Sequence, residues 1–223
     1  APGPLFANVV LADEINRTSP KVQSAMLEAM GEKQITADNV SHKLDELFFV
    51  IATQNPVDLA GTYPLPSPQL DRFLFKIRMT HVAKAAEMEI LAGYPTPSLS
   101  RAETLPLVLR REILAARTAL RHSIAIVPAV RESMIDLARA LRDDPRVLQG
   151  ASTRSLVLAM PALQARALLN HRDHVTPEDI SVLATPIFEH RLDCRAGIDD
   201  VGVIVRDALG PVMDRLARVS TRG

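Results

Sequence analysis

The sequence predicts an α/β portion built on a parallel sheet over residues 1–80, followed by an all-helical domain over residues 81–223. Three observations carry this expectation. Two short, continuous apolar runs, Phe6 to Ala12 and Leu47 to Ala52, read as strands buried on both faces of a parallel sheet. A helical pattern separates them. After about residue 80 the texture changes, and helical periodicities follow one another to the end of the chain.

Each element has a local reason. Ser19-Pro20 supplies an N-cap followed by proline at the first helical position, and Val22, Ala25, Met26, Ala29 and Met30 recur at helical spacing up to a stop at Gly31. Gln34 to Leu47 is polar and broken by Asp38-Asn39, so it reads as a hairpin or projecting loop. The second strand ends at Thr53-Gln54-Asn55-Pro56. A Gly/Pro-rich loop, Leu59 to Pro68, then leads through Gln69-Leu70-Asp71-Arg72 into a third expected strand, Phe73 to Met79. Ala83 to Ala92 is helical, and Gly93 to Ser98 is a linker. Further helices are expected near 108–121, 128–143, 152–170, 176–190 and 199–218, with start signals at Pro128, Ser152 and the Thr176-Pro177-Glu178-Asp179 cap. Ser123 to Val127 reads as a short extended piece.

Composition narrows the function classes. The 223 residues are 47% hydrophobic and 23% charged, ordinary for a globular protein with a real core. Lys plus Arg number 26, as do Asp plus Glu, so no global field points to nucleic acid or to a membrane. No apolar run approaches the roughly 18 residues that span a bilayer, and the N-terminus has neither a basic start nor an apolar signal-peptide region. The single Cys194 excludes an intrachain disulfide framework and a cysteine zinc cluster. Together these favour the cytoplasm. The first residue is Ala rather than Met, which suggests that the chain begins partway into a longer gene product.

Four constellations could carry chemistry. Asp13 and Glu14 end the first strand, where two adjacent carboxylates point in different directions. Asp can hold magnesium through water while Glu polarises an attacking water; a plain polar turn would look the same. Asn55 ends the next strand, so a parallel sheet places it at the same edge, where α/β sites form. Its neutral amide can orient a lytic water or sense a γ-phosphate without adding repulsive charge. Arg72 directly precedes the third expected strand and so lies at the opposite edge, suited to reach a neighbouring protomer's nucleotide as an arginine finger; a surface salt bridge with Asp71 or a nearby acid is the alternative. Arg154 falls in the first turn of a helix capped by Ser152, where it opposes the helix dipole, and an anionic ligand there would explain it.

The order of these segments resembles MoxR-type AAA+ ATPases. The resemblance rests on Gly3-Pro4-Leu5-Phe6-Ala7-Asn8 through Ala12-Asp13-Glu14-Ile15-Asn16-Arg17, Ala52-Thr53-Gln54-Asn55-Pro56, Gly61-Thr62-Tyr63-Pro64-Leu65-Pro66 and Gln69-Leu70-Asp71-Arg72-Phe73. It continues more loosely through Gly150 to Arg154 and from Val175 to Leu192. It implies that Asp13 and Glu14 are Walker B, Asn55 sensor 1, Arg72 the arginine finger and Arg154 sensor 2. Residues 1–80 are then part of an AAA+ core and residues 81–223 its helical lid. Asp13, Asn55 and Arg154 would meet the nucleotide, with Asp13 holding magnesium through water. The Gln34 to Leu47 hairpin would project toward a pore or client. The implied activity is ATP hydrolysis, with ATP and transient Mg2+ as cofactors, by a hexameric ring. That ring would act as a chaperone in maturation or metal-cofactor insertion of partner proteins, among them proteins with von Willebrand factor A domains. Neither nucleic acid nor a membrane is implied as a partner.

One departure is large. The phosphate-cradling loop G-x-x-x-x-G-K-[ST] occurs nowhere in the 223 residues. The expectation is therefore a fragment that does not bind ATP by itself, with apolar strand edges facing a gap. The rival readings are a pseudo-ATPase or non-catalytic interaction module, and a DNA-remodelling relative, which residues 33–46 do not favour because Lys33, Lys43 and His42 are set against Glu32, Asp38, Asp45 and Glu46. His42, His81, His122, His171, His174 and His190 are scattered, with no Glu or Cys to complete a metal set, and read as helix-end or solvent-facing. Cys194 reads as inert.

Overall fold

The computed structural model describes residues 3–37, 39–55, 61–94 and 107–220. Strands β1 (Val9–Ala12) and β4 (Phe49–Ala52) pair in parallel, with Val9 opposite Phe49 and Ala12 opposite Ala52. This register brings the residues that follow the two strands out at one sheet edge. Between the strands in sequence lie helix α1 (Pro20–Glu32) and an antiparallel hairpin of β2 (Gln34–Ala37) and β3 (Val40–Lys43). Asn39, at the hairpin tip, takes the left-handed conformation that tight turns need (φ 62°).

Helix α1 covers one face of the sheet. Its buried Met26, Leu27 and Ala29 pack against Val10, Ala12, Val50 and Ala52. The other side chains of the two strands are open: Val9 is 60% exposed, Leu11 66%, Phe49 57% and Ile51 47%. Burial on both faces, expected from the apolar runs, therefore holds for one face only, because no described element covers the other. Gly31 does not stop α1 as expected. The helix runs to Glu32, and Lys33 takes the left-handed cap conformation (φ 53°), its N–H donating to Ala29 O at 3.1 Å. The Lys33 ammonium then donates to Phe48 O at 2.7 Å, so the end of α1 lies beside the start of β4. The helix thus runs back from the Asp13 edge toward the opposite edge of the sheet.

After a single turn of helix, α2 (Ser67–Leu70), residues 75–83 form neither helix nor strand. The third strand expected at Phe73 to Met79 is thus absent. A strand needs a ladder partner, and no described strand lies beside it. Its main chain is held by helical elements instead: Lys76 N–H donates to Pro186 O at 2.8 Å, and Leu74 packs into the helical core.

The helices follow close to expectation: α3 (Lys84–Ala92), α4 (Arg110–Ser123), α5 (Pro128–Asp143), α6 (Thr153–Leu169), α7 (Pro177–Phe188) and α8 (Val201–Ser220). Residues 95–98 of the expected linker lie outside the described residues. In α5 the buried Val130, Met134, Leu137, Ala138 and Leu141 recur at helical spacing and form one stripe. That stripe meets Leu163, Ile180, Ile187, Phe188, Val205 and Val212 in a single core running from Ile124 to Leu216. Ser123 to Val127 makes one bridge, Ala125 to His174. A short antiparallel ribbon, β5 (Val147–Gln149) with β6 (Asp193–Cys194), had no clear sequence signal.

Helix starts behave as their residues dictate. Ser152 Oγ accepts the Ser155 N–H at 3.1 Å. Asp179 accepts the Thr176 N–H at 2.8 Å, closing a capping box. The Asp179 side chain is fully buried and also takes hydrogen bonds from Arg172 at 2.6 and 2.7 Å. Burial favours its neutral form, but Arg172 and Thr176 outweigh burial and hold the carboxyl below its usual range.

Candidate functional site

At the carboxyl edge of the sheet the chain leaves β1 through Asp13 and Glu14, and Thr53 follows β4. The Thr53 hydroxyl donates to Asp13 Oδ1 at 2.5 Å and accepts the Glu14 N–H at 2.9 Å. The backbone continues the same join: Thr53 N–H donates to Ala12 O, and Ile15 N–H to Thr53 O, both at 3.0 Å. One threonine therefore ties the Asp13 carboxylate and the Glu14 main chain to the second strand. Glu14 is held in the left-handed region (φ 47°, ψ 53°), which costs a non-glycine residue on the order of 1 kcal/mol. Such strain persists only where the surroundings over-determine it, and it turns Glu14 away from Asp13. Glu14 Oε2 pairs with Arg17 Nε at 3.0 Å.

The turn is secured from beneath. Ile15 and Asn16 are buried, and Gln23 of α1 donates to Ile15 O at 3.1 Å and to Tyr63 O at 2.9 Å. Tyr63 N–H in turn donates to Asn16 O at 2.6 Å. The Gly61 to Pro66 segment is thus pinned below the Asp13–Glu14 turn. Asn55 is exposed, two residues past Thr53 at the same edge.

A second constellation surrounds Arg72. Its guanidinium is half-buried and donates to Leu27 O on α1 at 2.5 Å. Gly31 permits this approach: a Cβ there would meet the Arg72 Nη1 at 2.9 Å. Arg72 thus does not pair with Asp71. Asp71 accepts from Arg191 Nε at 2.8 Å and from Ser155 Oγ at 3.1 Å. Ser155 is buried in the first turn of α6 beside the exposed Arg154, which makes no hydrogen bond or ion pair among the described residues. Arg72 and Arg154 are therefore linked through their sequence neighbours, and the hydrogen bond of Arg72 goes to α1 rather than to Asp13 or Glu14.

Three contributors were not singled out from sequence. Thr53 carried a legible signal, a hydroxyl directly after a strand that ends beside two carboxylates. Asp71 and Arg191 carried none, because their pairing spans 120 residues. His190 corrects the expectation of helix-end or solvent-facing histidines: it lies in the 3-10 turn Glu189–Arg191 just after α7 but is only 5% exposed, with Nε2 at 3.0 Å from Phe73 O. Burial, then the charge of Arg191, lowers its pKa to about 4. The Cys194 thiol is pushed up by burial and then by Asp193, which keeps it protonated. Among the described residues no three His, Cys, Asp or Glu side chains are grouped so as to hold a metal ion.

Comparison with known proteins bears on the fold and the family. Residues 1–75 match the model of the ATPase family associated with various cellular activities (AAA), and residues 139–208 match the AAA lid domain. YeaC of Bacillus subtilis is 39% identical over 99% of this chain and 70% of its own length. The chaperone MoxR1 of Mycobacterium tuberculosis is 35% identical over 85% of this chain, which spans 52% of that protein. A crystal structure of a candidate ATPase from Cytophaga hutchinsonii superposes with a TM-score of 0.82 at 36% identity, covering 93% of this chain and 66% of that one. The chain thus spans between about half and 70% of the length of these relatives. With a parallel sheet ending in Asp13-Glu14, a helical lid and these relatives, the chain belongs to the MoxR-type AAA+ ATPases.

Proposed function

We propose that the complete gene product hydrolyses ATP at a site shared between neighbouring protomers of a ring and uses the cycle to remodel a protein client. The observation that carries this reading is the Thr53 brace on the Asp13 carboxylate and the Glu14 main chain, at the sheet edge that also bears Asn55. Asp13 has the hard oxygen donors and solvent access that a water-bridged magnesium needs. Magnesium, bound with its nucleotide, would supply charge neutralisation on the phosphate oxygens. Glu14, swung away from Asp13 by its left-handed backbone, accepts a proton from the attacking water. Asn55 orients that water. Arg72, toward the other edge of the sheet, serves the adjacent protomer, and Arg154 contacts phosphate from the start of α6.

The phosphate-cradling loop is absent from these 223 residues, so nucleotide binding is assigned to the complete product. Residues 1–80 act as the core portion and residues 81–223 as the lid. The β2–β3 hairpin faces the client. A relative bearing the name chaperone supports remodelling as the output, and the family resemblance supports a hexamer, a cytoplasmic setting and partners with von Willebrand factor A domains.

The test is MgATP turnover and calorimetric binding by the complete product. Asp13→Asn should remove magnesium-dependent turnover, and Arg72→Ala should cost about 10³-fold or more. A folded protein blind to ATP would instead support a non-catalytic interaction module.

A further inference from the structure

Arg191 sits where α7 gives way to β6, and its side chain is 1% exposed. A guanidinium has five N–H donors in a fixed fork, and here nearly all point at one short segment. Nε donates to Asp71 Oδ1 at 2.8 Å; Nη2 donates to Phe73 O at 2.6 Å and Asp71 O at 3.3 Å; Nη1 donates to Leu74 O at 3.1 Å. Nη1 also donates to Ile187 O, in the last turn of α7. The segment so held, residues 71–74, forms neither helix nor strand, so its carbonyl groups lack regular ladder partners. Arg72 lies in its middle. From the other side Ser155 of α6 donates to Asp71, which joins the segment to the helix that bears Arg154.

We propose that Arg191 is a positioning residue for Arg72: its buried guanidinium clamps residues 71–74 onto α6 and α7, so that Arg72 is presented to a neighbouring protomer only while the lid helices hold this arrangement. This rests on the shared-site reading above. The geometry favours Arg72 over Arg154 as the beneficiary, because Arg191 binds the main chain on both sides of Arg72 directly and reaches α6 only through Asp71. Lysine cannot substitute, since one ammonium cannot span Asp71, Phe73, Leu74 and Ile187 at once.

A purely structural arginine would harm the protomer that carries the change. A clamp on a trans-acting arginine harms its neighbour's site instead. The experiment therefore mixes protomers of the complete gene product. Arg191→Gln alone should lower turnover by about 100-fold or more, within the range for loss of an arginine finger, while its affinity for MgATP stays within about threefold. Mixed with Glu14→Gln protomers it should regain turnover as fully as Arg72→Ala does in the same mixture. The double variant Arg72→Ala/Arg191→Gln should be no slower than Arg72→Ala alone. Hydrogen exchange should quicken at amides 72–76 but not along α8.

Arg191→Gln protomers that fail to regain turnover where Arg72→Ala protomers succeed would overturn the clamp and leave the shared site standing. Multiplying effects in the double variant would do the same. If neither mixture regains turnover, the shared-site reading falls and takes the clamp with it. Should Arg191→Gln not fold, Asp71→Asn keeps an acceptor oxygen and the apolar core. It should show the same pattern at about a tenfold loss, the size of one charge-assisted hydrogen bond; a turnover unchanged from wild type in folded Asp71→Asn would reject the proposal.

Discussion

Replacing Thr53 with Val tests whether the brace at the sheet edge sets the chemistry. The substitution keeps the branched shape and removes one hydroxyl, which donates to Asp13 Oδ1 at 2.5 Å and accepts the Glu14 N–H at 2.9 Å. A charge-assisted hydrogen bond is worth about 1.5–3 kcal/mol when buried, and a neutral one about 0.5–1.5. Both lie at an exposed edge, where water competes, so the lower ends apply and the loss totals about 2 kcal/mol. Part of that energy holds Glu14 in its left-handed conformation, against a cost of roughly 1 kcal/mol. Without it the carboxylate relaxes from its place, and turnover should fall by about 10- to 30-fold, since each 1.36 kcal/mol is a factor of ten. The assay is steady-state MgATP turnover of the complete product, with nucleotide affinity measured in parallel. Affinity should change by less than about threefold, and Thr53→Ser should restore most of the rate. Turnover within about twofold of wild type in Thr53→Val, or equal damage from Thr53→Ser, would refute the brace.

Two further expectations concern the lid. Asp179→Ala leaves Arg172 and Arg166 facing a lost carboxylate and removes the cap of α7; it should cost about 3 kcal/mol of unfolding free energy in denaturant titration, at the low end for a buried pair because the arginines are partly exposed. His190 is neutral when folded, because burial and the charge of Arg191 lower its pKa to about 4 from the ordinary 6.5. The unfolded chain therefore binds the extra proton first, and stability present above pH ~6.5 is lost as pH falls toward about 4. Between pH 6.5 and 5 the loss should be about 1.6 kcal/mol, because the unfolded imidazole is only half-protonated at pH 6.5 and the slope reaches 1.36 kcal/mol per unit only below it. A His190→Gln variant should lack that component, and parallel acid-induced losses in both proteins would contradict it.

Local signals in the chain transferred well to the structure. Proline and Ser/Thr/Asp caps placed the helices within a few residues, as at Pro128 and at Thr176 with Asp179, because caps act through bonds within one turn. The carboxylate pair and Asn55 fell at one edge because a parallel register requires it. What depended on distant partners was harder to read. Phe73 to Met79 has strand composition but no described ladder partner, so the helical region holds it instead. Gly31 has the look of a helix stop, yet its use is to leave room for the Arg72 guanidinium, whose Nη1 would lie only 2.9 Å from a Cβ at that position. Arg191 carries no local signal of its role. Only the fold shows its guanidinium joined to Asp71, 120 residues away.

The central claim is that the strand ending in Asp13-Glu14 provides the water-activating half of an ATPase site. Glu14→Gln in the complete gene product tests it most directly, because the amide keeps the size of the side chain and removes only the base. Calorimetry should show MgATP retained at near wild-type affinity, and phosphate release should nearly stop, by about 100-fold or more for loss of a general base. Undiminished phosphate release by a folded Glu14→Gln protein would contradict the account.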